Sequence, residues 1–362
     1  MKKVMIYAYT RYNLGDDLLV KILCDRYRDT NFVMYTYPQY KNVLSCCSNL
    51  TIYANSSLFS KIVNQIGQII GRTNAYERRV AHNCDLCVCI AGSLFIQGGE
   101  DWEPYLYYMT SRRLEGKPYF QLGANFGPYS DPCFFQGFKE LFKSYTDICF
   151  REKYSYDLFS DLENVRFAPD IALSGDYSKY TDRQCEKRVA CSVIDLSNRP
   201  NLMQYKERYL RTIETICKKY LDEGYTVDLL SFCSSEGDEF AINELEDNIK
   251  NQKLIHHRYC TDTTLEGMLE CIGKAEIVIA SRFHAMILGW SMKKKTLPII
   301  YSSKMKNVMN DFGYIGMSYD IIQAPFYDVV QVSPSVFDVV KISEDSNIQF
   351  AVLDKYLKKD YI

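Results

Sequence analysis

Short runs of β-branched and aliphatic residues alternate with longer segments of helical period along nearly the whole chain. Val4-Met5-Ile6-Tyr7-Ala8-Tyr9 is the first such run, and residues 32–37, 51–54, 86–91, 119–122 and 147–150 repeat it. Each is short and apolar and is followed by turn residues, so each reads as a buried strand. Segments 18–27, 57–70, 103–114 and 134–145 carry apolar residues at helical spacing and read as helices. Residues 174–187 break the pattern: they are polar, charged and poor in aliphatics, and form the expected linker. The alternation then restarts, with strands over 189–194, 225–231, 254–257, 276–280 and 296–301. Helices are expected over 202–221, 239–250, 265–273, 285–292 and, at the tail, 347–358. Strands alternating with helices in both halves predict an α/β chain of two doubly wound, Rossmann-like domains facing across a cleft. The expected bounds are 1–175 and 188–343, with 344–362 packing back on the first domain.

Composition narrows this picture little. A chain of 362 residues with 47% hydrophobic content suits two domains with real cores. A net charge of −2 argues against a general nucleic-acid binder. The apolar run after Met1-Lys2-Lys3 is too short for a signal-peptide core, and no run reaches membrane-spanning length. The expected location is therefore cytoplasmic, free or at the inner face of the membrane. In that setting the 14 cysteines read as reduced thiols rather than a disulfide framework. Cys84, Cys87 and Cys89 have metal-like spacing but lie in or beside a strand whose alternate side chains point apart, so buried thiols are expected there. Segment 57–70 places Leu58, Phe59, Ile62, Val63, Ile66, Ile69 and Ile70 on a helical period, with Arg72, Arg78 and Arg79 close behind. Core packing is the expectation for that face, and a peripheral membrane contact is the alternative.

Candidate chemistry collects where strands end. Glu276-Ile277-Val278-Ile279-Ala280 runs into Ser281-Arg282-Phe283-His284, and in open α/β sheets ligands bind at such ends. Arg282 offers a planar fork for phosphate or carboxylate, and His284 a proton near neutral pH. For these two to share a side, both should precede the first full helical turn. The plain alternative is a structural histidine and an arginine paired with a carboxylate. Asn13-Leu14-Gly15-Asp16 follows the first strand, where Asn13 and Asp16 would line a cleft or an aspartate would simply cap the helix. Gly92-Ser93, Gly123-Ala124-Asn125 and Arg151 occupy three further strand ends. No carboxylate cluster suited to a metal is visible.

Taken in order, these pieces resemble the polysaccharide pyruvyl transferase family. The matching motifs are Asn13-Leu14-Gly15-Asp16, Ala91-Gly92-Ser93-Leu94-Phe95, Gly123-Ala124-Asn125-Phe126-Gly127-Pro128, Arg151-Glu152-Lys153-Tyr154-Ser155, Ala168-Pro169-Asp170 and Ser281-Arg282-Phe283-His284-Ala285, with Lys304 downstream. The resemblance implies a GT-B-like fold and a ketal pyruvyltransferase with phosphoenolpyruvate as donor. The acceptor would be a sugar of a bacterial surface polysaccharide (capsule or exopolysaccharide) or its lipid-linked oligosaccharide precursor. It implies Arg151, Arg282 and Ser281 as donor ligands and His284 as general acid, with Asn13, Gly15, Asp16, Gly92, Ser93, Asn125 and Lys304 lining the cleft. No metal or cofactor is expected, and the base is left open among Asp16, Asp17 and Asp170. Two rivals stand beside this reading: a glycosyltransferase of the same fold using a nucleotide sugar, and a non-catalytic sugar-binding protein.

Overall fold

The computed structural model describes residues 1–181, 185–199, 201–323 and 332–358. Within the expected linker 174–187, residues 182–184 lie outside this set; the described part carries a short helix, Ser178–Thr181. The chain divides into two compact units. The first comprises Met1–Thr10, Leu19–Ile171 and Asp345–Ile362, and the second Arg11–Leu18 and Ala172–Glu344.

The first unit is built on a parallel sheet of seven strands: β1 (Lys3–Tyr7), β2 (Asn31–Thr36), β3 (Leu50–Ala54), β4 (Leu86–Ile90), β5 (Tyr119–Ala124), β6 (Asp147–Phe150) and β7 (Val165–Phe167). Their order is β3-β2-β1-β4-β5-β6-β7, so the winding reverses between β1 and β4. Every residue of β4, β5 and β6 is buried, which explains why these strands read as continuous apolar runs rather than alternating ones. Aromatic side chains fill one side of this unit; Phe95 meets Phe142 at 4.9 Å and Phe126 meets Phe159 at 4.8 Å, both edge to face. Cys84, Cys87 and Cys89 are buried free thiols, and burial pushes the Cys84 and Cys89 thiols up to about 11 and that of Cys87 to about 12.

The second unit holds a parallel sheet of β8 (Arg188–Ser192), β9 (Thr226–Ser231), β10 (Leu254–Arg258), β11 (Ile277–Ala280), β12 (Lys295–Ile300) and β13 (Tyr319–Asp320). Its order is β10-β9-β8-β11-β12-β13, with the reversal between β8 and β11. Helix Phe283–Ser291 leaves β11 and is buried along almost its whole length. Gly289 makes that close fit feasible, since a Cβ there would stand 2.5 Å from the Thr296 hydroxyl.

Three elements differ from the sequence expectation. The first helix spans Leu14–Arg26, starting four residues before residue 18. Its cap is Asn13, whose Oδ1 accepts the Gly15 N–H at 3.0 Å, while Asp16 and Asp17 lie in the first turn. Helix Phe283–Ser291 starts two residues before 285; Arg282 is its extended N-cap (φ −91°, ψ 138°), and His284 already lies inside the first turn. Helix Leu58–Ile69 has the expected period, but its apolar face points outward, not into a core.

Candidate active site

In the second unit the loops after β8, β9, β11 and β12 rise from the carboxyl ends of the strands around the β8/β11 reversal, where open α/β sheets bind ligands. Ser192 ties two of them together. Its hydroxyl accepts the backbone N–H groups of Ser281 and Arg282, at 3.0 and 3.1 Å. Ser281 is fully buried, and its Oγ accepts from the Tyr209 hydroxyl at 2.9 Å, while Tyr209 accepts the Ile194 N–H. In this structure Ser281 fixes the turn from which Arg282 and His284 depart.

Arg282 is almost wholly buried. Its Nε donates to Asp238 Oδ2 at 3.0 Å, its Nη2 pairs with Asp238 Oδ1, and its Nη1 reaches Glu236 Oε2 at 2.5 Å. Asp238 is fully buried and also accepts the N–H groups of Phe232 and Cys233, so it folds its own loop as well as holding the guanidinium. Burial opposes the Arg282 charge, but Asp238 and Glu236 keep the group firmly protonated. Glu236 is also gripped by Arg199 at 2.7 Å. Burial would push the Glu236 carboxyl up; Arg282, Arg199 and Lys304 outweigh it and hold the value at about 2. Lys304 lies 5.7 Å from the centre of the Phe283 ring. The loop after β9 thus supplies two carboxylates to a set of cations. Sequence reasoning missed both, although Glu236-Gly237-Asp238 after a strand, with Gly237 at φ 87°, is a turn signal that could have pointed there.

His284 is partly exposed, and the capped start of the first helix lies against it. A Cβ added to Gly15 would overlap the imidazole, so glycine is required for the helix start to approach the ring. That start is anchored by the Leu14 N–H to the Phe232 carbonyl (3.0 Å) and by the Tyr259 hydroxyl to Asp17 (2.9 Å). Asn13, Gly15, Asp16, Ser281, Arg282, His284 and Lys304 therefore all belong to the second unit, including the motif that follows the first strand.

Gly92, Ser93, Asn125 and Arg151 converge in the first unit, at the ends of β4, β5 and β6. Arg151 is buried; Nη1 pairs with Asp170 at 2.9 Å, and Nη2 donates to Asn125 Oδ1 at 2.7 Å and Ser93 Oγ at 3.3 Å. A Cβ on Gly92 would lie 2.5 Å from Nη1, so this glycine leaves room for the guanidinium. A residue far along the chain supports the same loops. Gln349 is fully buried; its Oε1 accepts the Gly123 N–H at 3.0 Å, and its Nε2 reaches the carbonyls of Ala168 (2.8 Å) and Pro169 (3.1 Å). Among the described residues, no three His, Cys, Asp or Glu side chains converge as a metal set would.

Solved structures share the fold. Anabaena HepE in complex with UDP-glucose aligns with a TM-score of 0.51 at 9% identity, covering 84% of this chain and 82% of that one. Staphylococcus aureus MnaA with UDP gives 0.51 at 11% identity, covering 99% and 89%. The UDP-GlcNAc 2-epimerase of Neisseria meningitidis bound to UDP-GlcNAc gives 0.50 at 10% identity, covering 99% and 93%. At such identity the likeness carries the two-unit, GT-B-like fold and nothing of the chemistry. The chemistry is addressed by a family model, that of polysaccharide pyruvyl transferase, which matches residues 13–303, from the Asn13 cap past His284 to the residue before Lys304. On that match, across most of its length, the chain belongs to the polysaccharide pyruvyl transferase family.

Proposed function

We propose that this protein transfers pyruvate from phosphoenolpyruvate to a sugar of a bacterial surface polysaccharide, or of its lipid-linked precursor, forming a ketal and releasing phosphate. Family membership supports the reaction class. The observation that carries the donor reading is the pairing of a buried, permanently charged Arg282 with a partly exposed His284 on one strand-to-helix turn. Arg282 has five N–H groups, and the bonds to Asp238 and Glu236 use three, so the fork retains donors for an anion. His284 delivers a proton to the methylene carbon C3 of the donor, which leaves C2 with oxocarbenium character. One sugar hydroxyl attacks C2, its proton passing through a base to restore His284. The C2–O bond that carries the phosphoryl group then breaks, and a neighbouring hydroxyl closes the ring, its proton leaving with the phosphate. Atoms balance as donor plus diol giving ketal plus phosphate, and no cofactor is invoked. Arg151, in its socket with Asp170 and Asn125, is proposed as a second anion ligand, and the reaction is placed in the cytoplasm.

The test incubates purified protein with phosphoenolpyruvate and a galactosyl lipid and measures inorganic phosphate. Acceptor-dependent release, lost in His284→Ala while donor binding persists, is expected. Consumption of a nucleotide sugar in place of phosphoenolpyruvate would sink the proposal in favour of glycosyl transfer.

A further inference from the structure

Helix Leu58–Ile69 is turned inside out. A helix on the surface of a globular unit ordinarily buries its apolar stripe and shows its polar one to water. Here the residues turned inward are Ser60, Asn64 and Gly67, spaced four and three apart on one side. Polar and small contacts hold this side in place. The Ser60 hydroxyl donates to the Asn55 carbonyl at 2.7 Å. Asn64 donates to the Tyr35 hydroxyl at 3.2 Å and accepts the Tyr76 N–H at 2.9 Å. A Cβ on Gly67 would meet that of Ala75 at 2.4 Å, so the helix is pressed onto the one that follows, Ala75–His82. The opposite side presents Leu58, Phe59, Ile62, Ile66, Ile69 and Ile70, each between 44% and 84% exposed. A contiguous apolar face of this size marks an interaction surface.

The charges around it say what that surface meets. Lys61, Arg72 and Arg79 are exposed on or just beyond the helix, with Arg79 lying 5.6 Å from the centre of the Phe59 ring. A groove of about 880 Å³ runs alongside, with Ile66, Ile70, Arg72, Arg78 and Tyr107 among its walls and no acidic residue. Helix Leu58–Ile69 contains no carboxylate, and the single one in Ala75–His82, Glu77, is buried against Arg112. A second copy of the same face would therefore bring cations to cations with nothing to neutralise them. Anionic lipid headgroups complement the basic rim, and acyl chains complement the isoleucines. We infer that helix Leu58–Ile69 is an interfacial anchor that seats the first unit on an anionic membrane surface, apolar face in the acyl boundary and arginines at headgroup level. This holds whichever donor the active site uses. No helix among the described residues is long and apolar enough to span a bilayer, so the attachment is peripheral.

Flotation with phosphatidylcholine vesicles, with and without about one third phosphatidylglycerol, tests the anchor. The full chain is expected to float with the anionic vesicles and to be released by salt. Ile62→Ser/Ile66→Ser/Ile69→Ser should lower partitioning at least about tenfold with an unchanged melting profile, since these residues support no core. Should that variant misfold, Phe59→Trp serves instead, and its emission must shift to the blue on adding anionic vesicles. Equal flotation of parent and triple variant overturns the inference. So does absence of the blue shift, or a parent that sediments as a dimer, ignores vesicles and becomes monomeric in the triple variant.

Discussion

At the scale of single residues, Arg282 is first of all a structural ion, whatever it binds. It neutralises Asp238, which is fully buried and also holds two backbone N–H groups. Arg282→Ala should therefore cost about 3–5 kcal/mol in denaturant unfolding, because an unpaired buried carboxylate remains. Gly15→Ala tests the position of the ring. The new Cβ overlaps the base of the His284 imidazole and must push ring and helix start apart, which outweighs the up to about 1 kcal/mol by which helix propensity favours alanine. Phosphate release should fall about tenfold to a hundredfold, and the melting temperature should drop as well. Sequence reading singled out Arg282 and His284 because they stand two apart at a recognisable strand end. It did not find Asp238, which lies 44 residues from Arg282 and meets it only once β9 and β11 share a sheet.

Among elements, strands were legible because buried parallel strands are continuous apolar runs, and helix starts were less so. Gly15 and two aspartates after a strand resemble a loop, yet an Asn cap makes them a helical first turn. The period of Leu58–Ile69 was equally plain. Which way its face points was not, since that depends on Tyr35 and Tyr76 receiving Asn64. Paired strands also carry a titration. His257 on β10 bonds Asp228 on β9 at 3.0 Å; that bond, then Cys271, outweighs burial and raises the imidazole to about 10. The folded state therefore binds this proton more tightly than the unfolded chain does. The resulting stability is complete below about pH 6.5 and is lost as pH climbs toward 10. Melting temperature should decline across that window, and His257→Asn should flatten the slope.

For the whole molecule, the chain does not hand over cleanly from one unit to the next. Residues 11–18 count with the second unit, and 345–362 with the first. Of the tail, 359–362 lie outside the described residues. The described part, a turn at Asn347–Phe350 followed by helix Ala351–Leu357, is fastened by Arg26 to Asp354 and by Arg166 to the Ile348 and Gln349 carbonyls. Gln349→Ala strands the Gly123 N–H and two carbonyls in the interior, and should cost about 3 kcal/mol or more in denaturant unfolding. No periodicity in the sequence announces a glutamine that meets a glycine 226 positions earlier. The arrangement bears on how the protein is made. A ribosome delivers the seven-stranded sheet early, but the amide that closes its strand-end loops emerges only after the whole second unit. The first unit to be translated is thus the last to be completed, and a nascent chain halted at residue 344 would hold every segment of the second unit while the first still waits for its keystone.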